Sequence, residues 1–256
     1  MDAILIECSP GISGDMLLAA LYDLGVPQTV FEKPLIKLGL KDFFSLSFNE
    51  SKSQNLRGVK AEVNVFINNK KKKWKDIKKF ILSGLLDKNL ESMIIKVFES
   101  LAVAESKVHG IHPDELHFHE IGDTDSLVDV IGVCAAIHYL KPKNIFCNAP
   151  NLGKGFINSE HGKIPIPSPV VLELISSSKM KISSNYLIDE ELSTPTGVSL
   201  LLTLVNFFGF PSEYSINSYG IGIGQKTLPY PNILRILEIS LPEHKKNYYQ
   251  NSPLYE

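Results

Sequence analysis

The stretch Ala3-Ile4-Leu5-Ile6-Glu7-Cys8-Ser9-Pro10-Gly11-Ile12-Ser13-Gly14-Asp15-Met16-Leu17-Leu18-Ala19-Ala20-Leu21-Tyr22-Asp23-Leu24-Gly25 decides the fold class. Its first five residues form a short apolar run, which reads as a buried strand. Cys8 to Gly14 is a turn-rich loop. Asp15 opens an apolar helix that runs to Leu24, and Gly25 closes it. Strand, glycine loop and helix in direct succession are a building unit of domains that pack helices on a sheet.

The same reading extends outward. A second helix spans Gln28 to Leu38. Phe44 to Ser51 and Val59 to Ile67 alternate apolar and polar residues, which predicts an antiparallel pair. Trp74 to Leu86 and Asp87 to Val108 read as helices, the second carrying Leu90, Ile94, Val97, Leu101 and Ala104 at helical spacing. His109 to Asp123 reads as irregular, and Thr124 to Leu140 as a helix apolar on most of its circumference. Ile145 to Cys147 is a short strand. Asn151 to Pro169 reads as a long loop, followed by helices at Pro169 to Ser176 and Thr196 to Phe207. Thr194 or Thr196 is the cap of the last. Tyr219 to Pro231 reads as a second Gly/Pro loop, its glycines two apart favouring a mobile or close-approach segment over a rigid strand. Ile233 to Ile239 is a terminal strand. The expectation is an α/β or α+β fold, with a mixed sheet, packed helices and long Gly/Pro-rich loops. One domain is expected over residues 1–241, with a β-hairpin excursion at 42–70 and a polar tail at 242–256.

Composition narrows the function. The 256 residues carry 26 Lys+Arg against 28 Asp+Glu, a net charge of −2, with 44% apolar residues. That balance argues against a general nucleic-acid binder. No apolar stretch approaches the length of a membrane span. The three cysteines, Cys8, Cys134 and Cys147, contain no Cys-x-x-Cys pair and suggest no disulfide framework. A cytoplasmic protein is expected.

The densest chemical signal lies between Glu105 and Glu120. Four of the seven histidines, His109, His112, His117 and His119, fall within 11 positions, where a random spread places about 0.3. Imidazole is a common ligand for borderline divalent metals. His117 and His119 project to one side of an extended segment. Glu105 and His109 share a helix face, and Asp125 and Asp129 repeat that spacing on the next helix. Three short elements can thus converge on one ion. The plainer alternatives are hydrogen-bonded structural histidines, a solvated turn at His112, and an Asp125 carboxylate favoured by the helix dipole.

A second signal is the turn Gly11, Ser13, Gly14 and Asp15. Its glycines let backbone N–H groups approach an anion at a helix N-terminus, or serve only tight packing. The third is a set of loops: Gly153-Lys154-Gly155, His161-Gly162 and Thr194-Pro195-Thr196-Gly197. Their hydroxyls, N–H groups, Lys154 and His161 suit a phosphate, or are ordinary turn and cap chemistry.

Seven segments together resemble one family. They are Pro10 to Met16, Ala104 to Gly110, His117 to Gly122, Asp125 to Asp129, His161 to Pro169, Glu191 to Gly197 and Pro231 to Arg235. Their order and content resemble the nickel insertion protein LarC family from about residue 3 to 240. The resemblance implies a nickel chelatase that places Ni²⁺ into pyridinium-3,5-bisthiocarboxylic acid mononucleotide during biosynthesis of the nickel-pincer nucleotide of lactate racemase. It also implies use of CTP with Mg²⁺ or Mn²⁺. The resulting expectation assigns His109, His117, His119, Asp125 and Asp129 to metal. It assigns His119, Glu120 and His161 to catalysis, and Gly11, Ser13, Gly14, Asp15, Lys154, Thr194, Thr196 and Gly197 to the nucleotide. The chain resembles the family's N-terminal portion, without its C-terminal CTP-associated domain. A separate CTP-binding subunit and a homo-oligomer are the expected partners. Glu7 stands where the family more often has Asp, and His112 is an addition to the pattern. Two other classes stay open: a metal-dependent hydrolase or cyclase acting on a phosphorylated small molecule, and a non-catalytic metal-donor subunit.

Overall fold

The computed structural model describes residues 1–66, 73–118, 124–178, 180–183 and 188–243. The strands are β1 (Ala3–Glu7), β2 (Phe44–Ser53), β3 (Leu56–Val65), β4 (Asn144–Cys147), β5 (Phe156–Ser159), β6 (Gly162–Pro165), β7 (Phe207–Phe208), β8 (Ser215–Ile223) and β9 (Ile233–Ser240). The helices are α1 (Gly14–Asp23), α2 (Gln28–Lys37), α3 (Trp74–Ser83), α4 (Lys88–His109), α5 (Thr124–Leu140), α6 (Pro169–Ser176) and α7 (Pro195–Leu204).

Among the described residues, seven strands form one mixed sheet in the order β2-β3-β8-β9-β1-β4-β7, and β5 and β6 form a separate hairpin. β1 lies inside the sheet, parallel to β4 and antiparallel to β9. Its uninterrupted apolar run follows from burial on both faces. Ile4 and Ile6 join Ile145, Leu234 and Ile236 in the main core under the helices. Ala3 and Leu5 join Phe146, Leu237 and Ile239 in a smaller cluster. α5 is buried almost all round, through Leu127, Val128, Val130, Ile131, Val133 and Cys134. The mixed sheet with packed helices agrees with the expected fold class.

α4 begins where the Asp87 carboxylate accepts the N–H groups of Asn89 (2.9 Å) and Leu90 (3.3 Å). It ends at Gly110, whose φ of 64° suits glycine. The helix therefore includes His109 in its last turn. The paired strands expected near residues 44–67 are β2 and β3, in register from Phe44↔Val65 to Ser53↔Leu56.

Three expectations need correction. Tyr219 to Gly224 is not the start of a loop: Tyr219 to Ile223 belong to β8, antiparallel to β9. A Cβ on Gly220 would collide with the backbone oxygen of Ala20, and one on Gly222 with that of Met16. These glycines let α1 lie directly on the strand, so close approach occurs, but on a regular strand that the glycine spacing was read as disfavouring. The Asn151–Pro169 segment contains the β5–β6 hairpin, paired from Phe156↔Pro165 to Ser159↔Gly162. Its mostly exposed faces gave no hydrophobic period to find. Finally, α7 stops at Leu204, and Phe207 begins β7, two residues beside β4. Among the described residues no helix is long and apolar enough to cross a membrane.

Candidate functional site

Three helices begin around one cleft, and glycines bring them there. Gly11 has a φ of 125°, and a Cβ on it would overlap the Leu192 backbone oxygen. The loop instead docks on that segment: the Ile12 N–H donates to Leu192 O (2.8 Å), and the Thr194 N–H donates to Ile12 O (2.9 Å). Gly14, the first residue of α1, packs against the Asp129 carboxylate with no room for a Cβ. A Cβ on Gly197 would lie 2.6 Å from Ile12 O. The glycines read as anion-binding thus have a packing duty, which seats the starts of α1, α5 and α7 side by side. Thr194 caps α7 by accepting the Gly197 N–H (3.2 Å). Ser13 occupies the cap position of α1, but its hydroxyl donates to the Asp15 carboxylate.

The cleft has a volume of about 600 Å³ and is lined by Ser13, Asp15, Asp125, Asp129, Thr194 and Thr196. That is room for a mononucleotide. Glu62 and Asn64 of β3 and Gln225 also line it. Sequence reasoning missed these three. The alternation along β3 marks a polar face, but not what that face meets. A cavity of about 630 Å³ elsewhere gathers Asp87, Lys96, His138, Lys141 and Lys143, with none of the clustered carboxylates or cap hydroxyls.

The electrostatics of the cleft are asymmetric. Burial, then the charges of Asp15 and Asp125, hold the Asp129 carboxyl well above the usual carboxylate range. Its Oδ1 is buried and has no hydrogen-bond partner. Two carboxylates lie in the first turns of α1 and α5, where the helix dipoles favour them. Positive charge entering the cleft meets three acidic groups and can displace a proton from one.

The imidazoles lie on other elements. His109, in the last turn of α4, faces His161 at the tip of the β5–β6 hairpin, with ring centres 4.9 Å apart. His117 is exposed and forms an antiparallel bridge with Lys73. Its neighbours Leu116 and Phe118 turn inward, and the Phe118 ring meets Trp74 edge-on at 6.4 Å. His119 and Glu120 lie outside the described residues. His112 accepts the Asp114 N–H on Nδ1 at 3.3 Å, capping a 3-10 turn at Pro113–Glu115. Lys154 pairs with Asp189 at 3.4 Å and does not line the cleft.

The structure thus brings Asp15, Asp125, Asp129, Ser13, Thr194 and Thr196 together, and separately His109 and His161. Among the described residues no group of three or more His, Cys, Asp or Glu is placed to hold a metal ion. The carboxylates wall a substrate-sized cleft and do not form a closed cage. Cys8 is buried, with its Sγ 3.4 Å from that of Cys147. Burial pushes the Cys147 thiol up.

Comparison with known proteins follows the same lines. A family model described as nickel insertion protein matches residues 4–254. The chain is 38% identical over 237 residues to the pyridinium-3,5-bisthiocarboxylic acid mononucleotide nickel insertion protein of Staphylococcus epidermidis (strain ATCC 12228), covering 92% of this chain and 59% of that protein. It is 34% identical over 248 residues to the protein of the same name from Clostridium kluyveri, covering 92% and 61%. The chain therefore spans about 60% of the length of these curated relatives. No solved structure matches it.

Proposed function

The chain belongs to the nickel insertion protein family, and we propose that it takes part in placing Ni²⁺ into pyridinium-3,5-bisthiocarboxylic acid mononucleotide. The observation that carries this reading is the acid-walled cleft of about 600 Å³ with its hydroxyl rim. The substrate has a cationic ring and an anionic phosphate. The ring and the incoming Ni²⁺ suit the side of Asp15, Asp125 and Asp129. The phosphate suits the start of α7, where Thr194 and Thr196 present hydroxyls beside the positive helix end. Nitrogen and oxygen donors exchange borderline metals readily, so nickel passes downhill to the sulfur donors of the substrate.

Bonding nickel to the ring carbon releases one ring proton, which requires a base. Asp129 lines the cleft, and once incoming Ni²⁺ has displaced its proton the freed carboxylate can take the ring proton. His119, Glu120 and His161 are the candidates from the sequence. The co-substrate is CTP with Mg²⁺ or Mn²⁺, supplied through a C-terminal CTP-binding portion acting as partner.

The test is conversion. The chain is incubated with Ni²⁺, the nucleotide, CTP and Mn²⁺, with and without the C-terminal portion of the staphylococcal relative, and the product is weighed by mass spectrometry. A nickel-bearing nucleotide is expected, and the Asp15→Asn/Asp125→Asn double variant is expected to lose it while keeping its melting temperature. No product under either condition, or full product from the double variant, contradicts the proposal.

A further inference from the structure

We propose that His109 and His161 form a two-imidazole reception site for Ni²⁺, distinct from the carboxylate cleft. This assignment rests on the nickel reading above and deepens it. The two residues come from unrelated elements, the end of α4 and the tip of the β5–β6 hairpin, and their ring centres stand 4.9 Å apart. Two imidazoles sharing one ion at about 2.1 Å per nitrogen, at angles between octahedral and tetrahedral, hold their ring centres roughly 4.5–5.2 Å apart. The observed separation falls inside that interval.

The pair lies outside the core, with His109 half-buried. His161 is exposed, and the hairpin that carries it is mostly exposed. The tip is nonetheless held in shape: the His161 N–H donates to Ser159 Oγ (3.1 Å), and that hydroxyl donates to Gly162 O (3.1 Å). His109 is fixed by the last turn of α4 before Gly110. Buried Glu105 lies one turn earlier on the His109 face. Among the described residues this pair offers two nitrogens, which leaves positions of a nickel ion open to exchangeable ligands. Such a site takes up the ion and gives it away, as a donor to a sulfur-rich acceptor must. On this proposal His161 acts as a metal ligand.

The test uses Ni²⁺ alone and the untagged chain, without nucleotide. Equilibrium dialysis is expected to show affinity falling roughly tenfold or more in His161→Ala and in His109→Ala. The double variant is expected to bind more weakly than either single variant, because the ring that each single variant keeps still ligates the ion. Nickel-edge X-ray absorption is expected to count two imidazoles in the parent and one in His161→Ala. His161 is on an exposed turn, so this variant remains informative if His109→Ala disturbs α4. Unchanged affinity and imidazole count in His161→Ala, or an equal loss in His112→Ala, overturns the assignment. Because no nucleotide is present, failure of nickel insertion leaves this result standing, and the two ideas fail separately.

Discussion

Asp129 concentrates the chemistry of the cleft in one carboxyl group, sealed at Oδ1 and set beside Asp15 and Asp125. Its folded pKa is raised above the unfolded value of about 3.9. Above that pH the unfolded chain releases the proton while the folded chain still holds it. Metal-free stability therefore falls as pH rises, until the folded pKa is passed. Asp129→Asn removes this penalty. Thermal melts in chelator from pH 5 to 8 are expected to show the variant melting higher than the parent, with the gap widening toward neutral pH. A variant that melts lower at pH 7.5, or follows the parent's pH slope, contradicts the account. At this scale the sequence named Asp15, Asp125 and Asp129, because carboxylates in a first turn or at i, i+4 are visible as spacing. It did not show that Gly14 leaves room for the Asp129 carboxylate, because that depends on how two helices meet.

The elements show where pattern reading succeeds and where it stops. β1, α1, α2, α4, α5 and α6 lie within a residue or two of their expected bounds, since each carries a clear apolar period or a cap. β8 was hidden because Gly220 and Gly222 resemble a turn until α1 is laid on them. Gly222→Ala is the direct check: its methyl group meets the Met16 backbone oxygen and must push α1 off the sheet. Urea unfolding is expected to show a loss of roughly 1–3 kcal/mol, the usual cost of overpacking. Because α1 carries Ser13 at its cap and Asp15, the same variant is expected to weaken nickel transfer. Unaltered stability removes the claim that close helix–strand approach sets the position of the cleft.

Across the whole molecule, the cleft draws on residues from Ser13 to Gln225, joined by a sheet whose order is far from chain order. Such an assembly leaves little trace in local pattern, and the seven resembling segments were needed to see that their residues belong together. The central claim is that the acid-walled cleft is where nucleotide and nickel meet. Crystals grown with pyridinium-3,5-bisthiocarboxylic acid mononucleotide and Ni²⁺, measured at the nickel absorption edge, test it most directly. The account predicts nucleotide density between Asp15, Asp125 and Thr194, with its phosphate toward α7. It also predicts anomalous nickel peaks in that cleft or between His109 and His161. Nucleotide bound at another surface, with the cleft empty, contradicts it.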